Sequence, residues 1–234
     1  MKTFRIACTV LVMLTGAAQA DTNSCGSLEN GYGPFDYRYR RDMLERVEKF
    51  HFTPPVEALI RGQSTVTSYG YAGDISYLMG TSPNHHRGLA AIMRLVERDK
   101  NPHPPRLRYS IDCYFDRAIR FAPDDLIVRM LYAQYLQKSG KNEAALKQLQ
   151  FVEEKAQDNP LTHFNIGLIY FDLGRYDDAL KQAQRAKALG MPRTELVDRL
   201  REKGKWREAN LPSASADVSA PVAAPAPSAS QVAN

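Results

Sequence analysis

The chain has 234 residues, of which 44% are hydrophobic and 24% charged, with 31 Lys+Arg against 26 Asp+Glu for a formal charge of +5. That composition supports one or two cores and excludes a wholly disordered chain. The longest apolar stretch, Ile6 to Ala18, falls short of the roughly 17 to 25 residues of a membrane-spanning helix, so a multi-span membrane protein is excluded as well.

At the N-terminus, Lys2 and Arg5 precede that apolar stretch, and Ala18-Gln19-Ala20 supplies a small-x-small cleavage site. This is the pattern of a secretory leader over 1–20, cleaved after Ala20, and it predicts a periplasmic or secreted protein. An uncleaved signal anchor is the alternative. Cleavage removes two basic residues and lowers the charge from +5 to +3, too little to argue for nucleic-acid binding. It also reduces three cysteines to two, Cys25 and Cys113. In an oxidising compartment an even pair suggests a disulfide worth about 4 kcal/mol in the chain-entropy model; a free Cys25 and a buried Cys113 are the other possibility.

Residues 21–82 form a Tyr- and Gly-rich segment with no single period. Within it Met43, Leu44, Val47 and Phe50 have helical spacing, Pro55 is placed to begin a short helix, and 65–79 reads as a loop or irregular hairpin. The aromatic run from Tyr32 to Tyr39 is either an N-terminal cap packed across the downstream helices or an exposed recognition surface.

From 83 to 206 the sequence repeats. Tyr132, Ala133, Leu136, Gly140, Ala145, Leu149 and Val152 recur 34 residues later as Ile166, Gly167, Tyr170, Gly174, Ala179, Ala183 and Ala186. Each block reads as helix, glycine turn, helix. His163, Ile166, Gly167 and Tyr170, followed by Gly174, Tyr176, Ala179, Ala186 and Pro192, resemble the tetratricopeptide repeat (TPR), with His163 and Ala183 standing where that family usually has Trp and Phe. An earlier copy places Leu89, Ala90, Ile92, Met93 and Val96 on a first helix and Ile111, Phe115 and Ala118 on a second. In that copy Glu97 falls at the turn-glycine position, and Pro102, Pro104 and Pro105 lie between the helices. Leu196, Val197 and Leu200 then predict a capping helix for the open end. The expected fold is all-α: a helical-hairpin solenoid of about three repeats with a capping helix and an irregular N-terminal segment. The last stretch, 207–234, is rich in Ala, Pro and Ser and predicts a disordered tail.

The resemblance implies a non-catalytic protein that holds a partner peptide in the concave groove lined by the first helix of each repeat. Position by position this selects Arg87, Ala91, Arg94 and Leu95 in the first copy. In the second it selects Ile127, Met130, Gln134, Gln137 and Lys138, and in the third Leu161, Phe164, Leu168, Phe171 and Asp172. An apolar stripe of Phe164, Leu168 and Phe171 beside cationic Arg87, Arg94 and Lys138 fits an extended peptide with a hydrophobic anchor and one or two acidic groups. Alternatively, the next helix covers the stripe and the cations are a solvated face. Analogy with exported proteins of this family extends the role to assembly of an envelope machine such as a pilus, secretion or polysaccharide system. No phosphate loop, nucleophile elbow or paired-CxxC motif is present, and no cofactor is implied. A small metal-dependent or glycan-active enzyme built on the N-terminal region, with Asp74, His85 and His86 as its metal ligands, is the competing class. Against it, His86 falls at the packing position of His163 in the repeat register, and adjacent histidines on a helix point about 100° apart.

Overall fold

The structure, a computed structural model, describes residues 25–63 and 70–209. The leader, residues 64–69 and most of the tail lie outside them. Ten α-helices and no strand occur among the described residues: α1 Arg41–His51, α2 Pro54–Ile60, α3 Ala72–Thr81, α4 His86–Asp99, α5 Ile111–Phe121, α6 Leu126–Lys138, α7 Asn142–Lys155, α8 Pro160–Asp172, α9 Tyr176–Ala188 and α10 Glu195–Glu202. Even-numbered helices pack in one row, α2 on α4, α4 on α6, α6 on α8 and α8 on α10. Hairpins α4/α5, α6/α7 and α8/α9 supply the second layer, with α1 packed on α3 beside them. This is the helical-hairpin solenoid expected from the repeat.

The 34-residue period has a local cause. Gly140 and Gly174 both adopt a left-handed backbone, φ 73° and 72°, which an L side chain enters at a cost. After each glycine the next amide turns back onto the preceding helix, Lys141 N to Leu136 O and Arg175 N to Tyr170 O, both at 2.9 Å. These bonds occupy carbonyls that the helix end would leave unsatisfied and set the angle at which the second helix departs. Helix starts are capped as well: Ser110, Asp125 and Asn159 each accept from a backbone amide of α5, α6 and α8.

Two apolar clusters fill the solenoid. One runs from Val47 to Ala145 and centres on Leu89, Ile92, Leu95, Ile111 and Phe115; the other runs from Met130 to Leu200. They meet at α6, which sends Val128 and Leu136 into the first and Ala133 into the second. Small residues let the hairpins close: Ala133, Ala145 and Ala179 are wholly buried, and a Cβ on Gly167 would lie 3.1 Å from Gln182 Cβ and collide with Leu196.

The N-terminal segment is more regular than its sequence suggests. Helices α1 and α2 match the spacing of Met43 to Phe50 and the proline start, but 72–79, expected as a loop or hairpin, belongs to α3. Ala72, Ile75, Leu78 and Met79 are buried together there, and this packing against α1 and α4 overrides the weak helix propensity of Gly73 and Gly80. The first repeat also turns differently. Lys100, not Glu97, holds the left-handed position that ends α4, with φ 50°, and Glu97 stays inside the helix.

Substituting Gly167→Leu is expected to lower unfolding free energy by about 3 kcal/mol, because neither the Gln182 Cβ nor α10 can withdraw without opening the seam. A urea melt that leaves the midpoint unchanged contradicts this packing account.

Candidate functional site

The even-numbered helices line a groove of about 840 Å³ between α2, α4 and α6. Its floor is apolar, made of Ala90, Met93 and Val96 from α4, Leu131 and Tyr135 from α6, and Ile60 at the end of α2. Arg94 and Glu97 rise from one wall, Gln134 and Lys138 from the other. The α4–α5 connection closes the far end with Lys100, Asn101 and Pro102, beside Asp112 and Lys141. Four cations therefore face two carboxylates over a hydrophobic floor.

Both carboxylates are engaged. Glu97 Oε2 lies 2.8 Å from Arg94 Nη1 and its Oε1 lies 3.1 Å from Lys138 Nζ, so one side chain bridges the two walls. Hydrogen bonds from Lys138 and Arg94 hold the Glu97 carboxyl below its ordinary pKa. Asp112 takes Lys141 Nζ at 2.9 Å and the Tyr132 hydroxyl at 3.2 Å. Arg94 and Lys138 are 47% and 46% exposed in their side chains, and ion pairs in such surroundings contribute about 0.2–1 kcal/mol each. The rim is thus charged but readily rearranged.

The sequence-selected residues divide between this groove and the interior. Arg94, Gln134 and Lys138 line it. Arg87 lies on the same face nearer α2, pairing with Glu57 at 2.6 Å and covering the Phe52 ring. Ala91 and Leu95, expected on the groove surface, are wholly buried in the first core. Phe164 and Phe171 are 2% and 8% exposed, Met130 9%, and Leu168 packs on the second core, so the apolar stripe is no open surface. Helix α10 explains the burial: it packs on α8 as α8 packs on α6, and the Arg199 guanidinium caps Phe171 at 4.2 Å. A period of 34 residues identifies which positions face inward, but it does not separate the concave face from the seam between successive repeats. Missed in the sequence were the groove's floor residue from α2 and its end wall from the proline-rich connection.

The histidines serve the framework. His163 is buried, with Nδ1 2.7 Å from Gln182 Oε1 and Nε2 2.8 Å from the Gln157 carbonyl. His86 is not its equivalent; it begins α4 and places Nε2 2.8 Å from Asp125 Oδ2. His85 caps α4, accepting from Gly88 N through Nδ1, which leaves Nε2–H to donate to Glu48 at 2.9 Å. Asp74 pairs with His51. The three residues considered as metal ligands therefore point to three different partners, and among the described residues no group of three or more His, Cys, Asp or Glu is arranged to hold a metal ion.

Residues 25–40 are fastened across this framework. Cys25 and Cys113 form a disulfide, and Arg117 Nη1 donates to the carbonyls of Cys25 and Ser27 at 3.0 and 2.6 Å. Further along, Phe35 N donates to Thr81 O, and Tyr37 N to Asn84 Oδ1. Tyr37 then stacks on His85 with 4.2 Å between ring centroids. The aromatic run is a cap on the first repeat for most of its length, although Tyr39 stays 70% exposed.

With this geometry established, the comparison with known families is direct. Residues 160–190, which are α8, the Gly174 turn and α9, match the tetratricopeptide repeat family. The chain is a tetratricopeptide repeat protein. No curated protein and no solved structure matches the chain. The matched tetratricopeptide unit is the most regular hairpin of the array, and the groove lies in its less regular N-terminal half.

The framework is acid-sensitive. Burial pushes His85 below its ordinary pKa of 6.5 against the opposing pull of Glu48, so the unfolded chain binds its proton more readily and stability falls as pH drops through 6.5. Burial raises Asp36, but hydrogen bonds from Arg38 and Asn84 outweigh it and hold the group at about 2; its contribution of about 2 kcal/mol is present above pH 3.8 and lost towards pH 2. The urea midpoint is therefore expected to decline from pH 7 to 5 in the native protein and to stay flatter in His85→Asn, which keeps a helix cap but cannot titrate. Equal slopes in the two proteins contradict the assignment.

Proposed function

We propose that this tetratricopeptide repeat protein is a non-catalytic adaptor that holds a segment of a partner protein in the groove between α2, α4 and α6. The observation that carries the reading is the pairing of an apolar floor with a rim in which cations outnumber carboxylates. Repeats of this family generally mediate protein–protein interactions, and a groove of this chemistry suits an extended segment with apolar side chains and one or more acidic groups. Aromatic and aliphatic floor residues provide burial, while Arg94 and Lys138 select charge and register.

We place the protein outside the cytoplasm, in the periplasm or secreted. The leader-like pattern before Ala20 supports this, as does the Cys25–Cys113 disulfide, since such bonds persist in oxidising compartments. A role in assembling an envelope machine follows from that location and from an array that presents a single concave face.

Photo-crosslinking tests the reading. With Gln134 replaced by p-benzoyl-phenylalanine, the full chain is expected to capture one defined protein through a segment containing acidic and apolar residues. The same replacement of exposed Leu161 on α8 is expected to capture none. Adding Arg94→Glu and Lys138→Glu should remove the adduct while the thermal transition stays cooperative. An adduct that survives the charge reversal, or forms equally from Leu161, contradicts the groove assignment.

A further inference from the structure

Glu97 stands out within the groove. It is the rim carboxylate that reaches across the opening, giving one oxygen to Arg94 in its own helix and the other to Lys138 in the facing helix. An acidic side chain of a bound segment would need those same two donors. The other groove carboxylate, Asp112, sits at the closed end and is committed to Lys141 and the Tyr132 hydroxyl. It neither spans the walls nor competes for Arg94.

We propose that Glu97 is an internal competitor, occupying in the free protein the place that a partner carboxylate takes in the complex. This deepens the adaptor reading and rests on it. Three features make the exchange feasible. The Glu97, Arg94 and Lys138 side chains are each close to half exposed, so the bridge opens without uncovering a buried charge. Arg94 also donates through Nε to the Ile60 carbonyl at 3.3 Å, which keeps the guanidinium aimed into the groove after Glu97 leaves. Finally, the floor beneath the bridge is apolar, so an arriving segment gains burial of its own side chains at the same step.

The consequence is selectivity. A neutral segment gains nothing from opening the bridge, because Glu97 satisfies both cations better than an amide can. An acidic segment replaces one carboxylate by another and keeps the apolar contact. Glu97 thereby screens the groove against uncharged apolar chains while leaving it open to acidic ones.

Fluorescence anisotropy with the full chain tests the proposal, using a labelled peptide that alternates glutamate with leucine and its glutamine–leucine counterpart. Glu97→Gln is expected to tighten binding of the glutamate peptide about fivefold, the effect of releasing one surface competitor, and to leave the glutamine peptide within about twofold. Glu57→Gln removes an equal charge from the same face, at the Arg87 pair outside the groove, and should change either affinity by less than about twofold. Glutamate-peptide binding seen only in Glu97→Gln also supports the proposal. If the native protein binds the glutamate peptide and Glu97→Gln does not improve it, the competitor role is overturned and the groove reading survives. Equal tightening by Glu57→Gln likewise overturns it, since general charge then accounts for the gain. Absence of glutamate-peptide binding to both native protein and Glu97→Gln at millimolar concentration overturns the acidic-segment reading together with the competitor.

Discussion

The buried carboxylate of Asp125 sets the geometry on which the groove depends. Its Oδ1 accepts from the amides of Ile127 and Val128 at 3.1 and 3.3 Å and so begins α6; its Oδ2 accepts from Asn84 Nδ2 and His86 Nε2 at 2.9 and 2.8 Å and so grips the start of α4. With a side chain only 1% exposed, it is tolerated there because several donors replace its water, and the Arg38 guanidinium lies 3.7 Å away. Helices α4 and α6 are the two long walls of the groove. One residue thus caps one wall and tethers the other, fixing how far apart their cations and apolar side chains stand.

The same node explains why the chain carries a folded segment ahead of the repeats. Asn84 passes the network on, donating to Asp36 as well as Asp125 and accepting from Tyr37 N. Arg38 joins Asp36 to Asp124 in the turn before α6. A solenoid ends in an unpartnered apolar face at each terminus. At the C-terminal end α10 covers it with Leu196, Val197 and Leu200. At the N-terminal end α1 to α3 share the task with residues 25–40, which the disulfide and Arg117 hold in place. The disulfide joins residues 88 positions apart, a loop long enough for the bond to restrict the unfolded chain substantially.

Much of this was legible in the residues, and the parts that were not share a cause. Glycines 34 residues apart announced the turns because a left-handed backbone has few alternatives, and Ala133, Ala145 and Ala179 announced close packing because nothing larger fits. The cysteine pair was readable once the leader was set aside. Helix α3 was hidden because its glycines and tyrosine carry little propensity and its identity comes from tertiary burial. Phe164 and Phe171 lay on the correct helix but the wrong face: apolar spacing says that a stripe is covered, not whether a partner or α10 covers it. The groove's own character depends on the irregular first repeat, where three prolines and left-handed Lys100 displace the wall, and no periodic pattern specifies such a departure.

The groove therefore draws its selectivity from the part of the array that departs most from the repeat, while the most regular hairpin serves packing. Methionine methyl resonances report on both halves at once. Met93 lies on the groove floor, Met130 is buried between α6 and α8, and Met191 packs on the second core near α10. Titrating the full chain, labelled at its methionine methyl groups, with the glutamate–leucine peptide is expected to shift Met93 progressively and to leave Met130 and Met191 in place. Shifts at Met191 with Met93 unmoved would contradict the account, placing the binding surface at the C-terminal end of the array instead.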